Sequence, residues 1–132
     1  MVDRGLFEKT KVKLHQEKSM ELTLIGDSME PVLFSGEKAM LEAIEDIKLL
    51  KRFDVLVFWS QDMLFCHYLW HMNQNFNQNE KDVVLQTRPL NPLVCYDWPI
   101  FGSQLLGRVR QPAIPLRLKI KIFLLTFMSS KN

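Results

Sequence analysis

The run from Asp54 to Trp70 constrains the fold of this chain more than any other stretch. Asp54–Trp59 (DVLVFW) is dense in β-branched and aromatic residues and reads as a buried strand. Gln61-Asp62 supplies a tight turn, and Met63–Trp70 (MLFCHYLW) returns as the hairpin partner. Around this hairpin the chain is punctuated in the same way. Glu21–Ile25 (ELTLI) alternates as a strand and is halted by Gly26-Asp27, with further turns at Pro31 and Ser35-Gly36. Lys38–Ala43 (KAMLEA) fits strand or helix. Val83–Gln86 and Leu105–Arg110 (LLGRVR) read as strands, and Leu116–Ile122 (LRLKIKI) alternates apolar and basic residues as another. Residues 3–20 are charged and suit a short leading helix. Asn73–Asp82 is a polar loop by composition, and Arg88–Pro99, with three prolines, is irregular. Short strands separated by turn signals predict a mainly β, single compact domain.

Length and composition agree with one domain. The chain has 132 residues, 47% of them hydrophobic and 24% charged, which is enough to bury a core and excludes a disordered tail. Two cysteines, Cys66 and Cys95, make neither a disulfide framework nor a four-ligand zinc site, and read as a reduced cytosolic pair. The net charge of +2 conceals an asymmetry: every residue of the acidic kind lies at or before Asp97, whereas Arg108, Arg110, Arg117, Lys119, Lys121 and Lys131 follow it. Such a basic, apolar tail suits an anionic membrane surface or nucleic acid, or equally a strand with one solvated face. The first twenty residues lack the apolar region of a signal peptide, and the longest apolar run, Ile120–Met128, is too short to span a bilayer. The expectation is a cytoplasmic protein, either soluble or attached to a membrane only at its surface.

Three residues invite a chemical reading. Ser28 sits in Gly26-Asp27-Ser28-Met29-Glu30-Pro31, directly after a strand. A nucleophilic serine needs an exposed hydroxyl, nearby backbone N–H donors and a base within reach, and a strand end followed by a glycine turn can provide them. Read alone, Asp27 or Ser28 could as well cap a helix or close a turn. His67 lies in the returning arm of the hairpin; imidazole is a competent base near neutral pH without heavy tuning. The plain alternative is a half-buried strand histidine. With His71 it has i, i+4 spacing, but no third metal ligand is evident. Asp97 is placed to hold an imidazole by its Nδ1–H, or simply to close its own turn.

The order of these pieces resembles the superfamily of type I signal peptidases and self-cleaving, LexA-like repressors. The family's nucleophile motif, G-x-S-M-x-P and a hydrophobic residue, is similar to Gly26–Leu33 (GDSMEPVL), and its following turn to Ser35-Gly36-Glu37. Its strand pair is similar to Arg52–Phe58 (RFDVLVF) and Leu64–Trp70 (LFCHYLW), with His67 at the position where one branch carries a histidine base and the bacterial enzymes a lysine. Its late box, ending in L-G-R-V, looks like Thr87–Val109, with Asp97 at the acidic position and Arg88-Pro89-Leu90 where the family has K-G-D.

The resemblance implies a twisted, partly barrel-like β fold with a lead-in segment (1–20), a catalytic domain (21–110) and a basic extension (111–132). It implies a serine endopeptidase with Ser28 as nucleophile, His67 as base and Asp97 as its orienting partner. Gly26, Asp27, Met29 and Pro31 would border the bound substrate, an extended peptide or protein precursor. It calls for no metal and no cofactor, and no nucleic-acid partner is expected. A non-catalytic member that binds an extended peptide in the same groove is the competing expectation.

Overall fold

A computed structural model of the protein describes residues 2–73, 79–93 and 97–130, the side chains of 129 and 130 excepted. Part of the polar loop expected over 73–82, at 74–78, lies outside the described residues, as do Cys95 and Lys131. Helix α1 (Arg4–Glu17) leads into seven strands: β1 (Ser19–Thr23), β2 (Lys38–Glu42), β3 (Val55–Ser60), β4 (Met63–Met72), β5 (Val84–Arg88), β6 (Trp98–Phe101) and β7 (Leu105–Gln111). Helix α2 (Leu116–Ser130) follows. The strands form one sheet in the order β1-β2-β7-β3-β4-β5-β6, with every neighbouring pair antiparallel. The fold is therefore mainly β and a single domain, but the sheet stays open: β1 and β6 are its edges, and the barrel-like closure expected from the sequence does not occur.

The central hairpin forms as its sequence dictates. Gln61 and Asp62 both take positive φ, 53° and 60°, which is the twist a two-residue hairpin turn needs. Along β3 the side chains alternate between two cores. Val55 and Val57 join a cluster that includes Phe7 and Leu14 of α1, Met29, Leu33 and Ile122 of α2. Leu56 and Phe58 join a second cluster with Ile47, Leu50, Leu85, Ile100 and Leu105. The sheet is thus covered on both faces, the first by the two helices and the β1–β2 loop.

Helices α1 and α2, within the segments expected as lead-in and extension, both contribute side chains to this core. Asp3 caps α1 by accepting the Leu6 N–H at 2.8 Å. Phe7 stacks on Trp59 with ring centroids 5.4 Å apart, and the Trp59 indole donates to the Val2 carbonyl. The expected strand over Leu116–Ile122 is a correction: it is the first half of α2. Seven alternating residues satisfy either period, but the apolar run that continues to Met128 does not alternate. Pro112 and Pro115 also separate it from the sheet, and Leu, Arg and Lys favour the helix.

Candidate active site

The Ser28 loop is the connection from β1 to β2, closed at its base where Leu24 N donates to Glu37 O (3.2 Å) and Gly36 N to Leu24 O (2.7 Å). Gly26 takes φ 119°, a conformation that glycine alone adopts easily; a Cβ there would meet nothing within 4 Å, so the requirement is in the backbone and not in space. Its N–H donates to Ser35 Oγ at 3.0 Å. Met29 and Leu33, 2% and 4% exposed, fasten the loop into the first core. Ser28 is left half-buried, with exposed Gly26, Asp27 and Pro31 around it. Met29, expected beside substrate, is instead a core anchor.

The sheet register explains why Ser28 comes to rest against β4. Asp54 and Leu69 are partners across β3 and β4, with Leu69 N donating to Asp54 O. In an antiparallel ladder hydrogen-bonded and non-bonded pairs alternate, so the Val57–Cys66 pair turns its backbone groups outward, and the Cys66 carbonyl faces the β5 side. Strand β5 pairs with β4 only as far as Tyr68↔Arg88, and then ends. Ser28 occupies the space beyond. Its Oγ donates to the Cys66 carbonyl at 2.9 Å, while its own carbonyl accepts from Leu90 N (2.7 Å) and Asn91 N (3.0 Å). The Asn91 amide also donates to Asp27 O at 3.3 Å. The hydroxyl therefore touches the peptide bond that joins Cys66 to His67. Among the described residues the Ser28 N–H makes no hydrogen bond.

His67 points to the second face of the sheet, 2% exposed. Phe58, Phe65 and Trp98 surround it, with ring centroids 5.2, 6.3 and 5.1 Å from the imidazole. This apolar box disfavours the imidazolium and pushes the His67 pKa down to about 4. Its Nδ1 lies 3.1 Å from Thr87 Oγ1, which in turn donates to the Trp98 carbonyl at 2.8 Å. A hydroxyl has one proton; since Thr87 gives it to Trp98, it accepts from Nδ1–H. That assigns the tautomer and leaves the lone pair on Nε2, which has no hydrogen-bond partner among the described residues. No hydrogen bond joins His67 to Ser28.

Asp97 does not take the place expected for it. Its carboxylate accepts from Arg88 Nε at 2.5 Å, and Arg88 also reaches Thr126 of α2 at 3.2 Å. Thr87, one residue from Arg88, holds the imidazole instead. The sequence offers little sign of this: Thr87 and Trp98 meet only through the β5–β6 register. Cys66, beside the serine, is a free thiol whose pKa burial pushes up to about 12, so it stays protonated. The L-G-R-V segment lies in β7. Arg108 donates to Glu42 at 2.7 Å and reaches Asp54 at 3.5 Å, tying β2, β7 and β3 together. Burial alone would raise the Glu42 carboxyl, but the hydrogen bonds and charges of Arg108 and Arg110 outweigh it and hold Glu42 below its ordinary value. Among the described residues no group of three His, Cys, Asp or Glu side chains could hold a metal ion. No protein-family model and no curated protein sequence matches the chain.

Proposed function

We propose that the chain is a serine endopeptidase of the signal-peptidase type, its open sheet a variant of that family's β fold. The observation that carries this reading is the seat of Ser28, whose Oγ rests on the carbonyl of the Cys66–His67 peptide bond. Nucleophile and base are thereby held by one strand and the loop docked against it. An extended precursor binds along the exposed Gly26-Asp27 edge with its scissile carbonyl over Ser28. Ser28 Oγ leaves the Cys66 carbonyl and attacks. Transfer of its proton to His67 Nε2 requires the imidazole or the Ser28 loop to move, because the ring lies on the second face of the sheet and the loop on the first; the new oxyanion takes the Ser28 N–H. His67 then gives the proton to the leaving amine, and water, deprotonated by the same nitrogen, releases the acyl group. Thr87 acts as a positioning residue that keeps the Nδ1–H tautomer.

The second reading, a non-catalytic peptide binder with the same groove, draws on two observations. The Ser28 proton is committed to a backbone carbonyl, and the imidazole is backed by a neutral hydroxyl in an apolar box. Treatment with a fluorophosphonate probe and a generic peptide library, read by intact mass on wild type, Ser28→Ala and His67→Ala, separates the two. Adduct or cleavage in wild type alone supports the peptidase. Peptide binding without turnover, equal in wild type and Ser28→Ala, supports the binder.

A further inference from the structure

Helix α2 carries apolar residues on two sides, one packed into the core and the other largely exposed. On the inner face Ile122 is fully buried and Phe123 packs edge-on against Phe53, centroids 5.5 Å apart. On the outer face Leu116, Ile120, Leu124, Phe127 and Met128 are between 52% and 71% exposed. Leu116, Ile120, Leu124 and Phe127 (i, i+4, i+8, i+11) form one stripe, an arc about 80° wide at 3.6 residues per turn, and Met128 lies on the far side of Arg117 from it. Cations border it. Arg117 and Lys121, themselves i, i+4, are exposed along one side. Lys119 on the other lies 5.6 Å from the Phe53 ring centroid, and Arg52 sits over Phe123 at 5.5 Å. No acidic residue follows Asp97 in the chain, and Asp97 is paired with Arg88.

An exposed apolar stripe edged by cations and free of carboxylates matches one surface best. Apolar side chains enter the acyl boundary of a bilayer while Arg and Lys meet anionic headgroups. A second copy of the chain would oppose like charges across the same stripe, and nucleic acid would leave five large apolar side chains uncovered. No helix of the described residues is long and apolar enough to cross a membrane, so the contact lies in the plane of the surface. We infer that α2 docks on an anionic lipid surface, with Leu116, Ile120, Leu124 and Phe127 in the interface and Arg117 and Lys121 at the headgroups.

The test is co-sedimentation of the full chain with vesicles of equal parts phosphatidylcholine and phosphatidylserine, against vesicles of phosphatidylcholine alone. Binding on the order of tenfold tighter to the anionic vesicles, weakened by salt, is expected. Ile120→Asp with Leu124→Asp should reduce it by on the order of tenfold or more, and Arg117→Glu with Lys121→Glu severalfold. All four side chains are exposed, so the denaturation midpoint should not move. Ser28→Ala should bind as wild type does, which separates this inference from the peptidase reading. Equal binding to both vesicle types, or full binding by the Ile120/Leu124 double variant, would overturn it. So would vesicle-free self-association that the same double variant abolishes, which would assign the stripe to a second copy.

Discussion

Acidification from pH 7.5 to pH 5 should destabilise the protein through His67 before Glu42 contributes. The imidazole is 2% exposed, and burial lowers its pKa from 6.5 to about 4, so the unfolded chain binds this proton more tightly than the folded one. Stability from the group is complete above the unfolded value and is lost as pH falls from about 6.5 toward about 4. The full difference corresponds to about 3 kcal/mol, and about 2 kcal/mol of it falls between pH 7.5 and pH 5. Glu42, whose pKa is depressed below the ordinary 4.5, loses its contribution only at still lower pH, so the upper window belongs to histidine. Urea denaturation of wild type and His67→Gln across this range isolates the effect, since His15 and His71 are common to both. The variant's pH slope should be shallower by about 2 kcal/mol over the interval. Parallel slopes, or a histidine NMR titration placing His67 near 6.5, would refute the apolar box as the cause.

Thr87→Val removes the acceptor of His67 Nδ1–H and the donor to the Trp98 carbonyl while keeping shape, and should cost about 1–3 kcal/mol. Nitrogen-15 shifts of the imidazole should then report a changed tautomer mixture; an unchanged tautomer and midpoint would remove Thr87 from its positioning role. Gly107→Ala should cost about 1–3 kcal/mol, measured by the same denaturation. Its Cβ would lie 2.7 Å from Leu14 Cδ2 and 3.0 Å from the Glu42 carbonyl, wedging α1 away from β7; a midpoint like that of wild type would show that α1 shifts freely.

The elements most legible in the sequence were those whose signal is local. The β3–β4 hairpin needs only two apolar runs and a two-residue turn, and Val55–Ser60 and Met63–Met72 fall where those runs lie. Strand β1 ends at Thr23, two residues short of the alternating ELTLI run, because Leu24 already turns to close the Ser28 loop with Glu37. Leu116–Ile122 misled because alternation over seven residues is compatible with a helix that buries Ile122, half-buries Leu118 and exposes Leu116 and Ile120. The turn residues around Ser28 made that loop legible, but the imidazole's partner could not be read, because Thr87 and Asp97 are both polar and only strand register decides between them. Arg88 decides it further: adjacent to Thr87 in sequence, it draws the Asp97 carboxylate to itself.

That exchange of partners bears on what chemistry the site can sustain. In the Ser-His-Asp arrangement the carboxylate does two things: it fixes the tautomer with Nε2 free, and it stabilises the imidazolium formed during attack. Thr87 provides the first through its relay to the Trp98 carbonyl, and as a neutral hydroxyl it cannot provide the second. The aromatic box works further against the charged form, so Nε2 is a weak base, available at every pH above about 4. Brønsted behaviour then makes a peptidase built on this pair slow at neutral pH and tolerant of acid, with kcat/KM falling only as His67 is protonated. On the peptidase reading, attack also requires the Ser28 hydroxyl to give up its bond to the Cys66 carbonyl. A substrate strand arriving where β5 ends can compete for that carbonyl with its own N–H, which would release the nucleophile as the substrate binds.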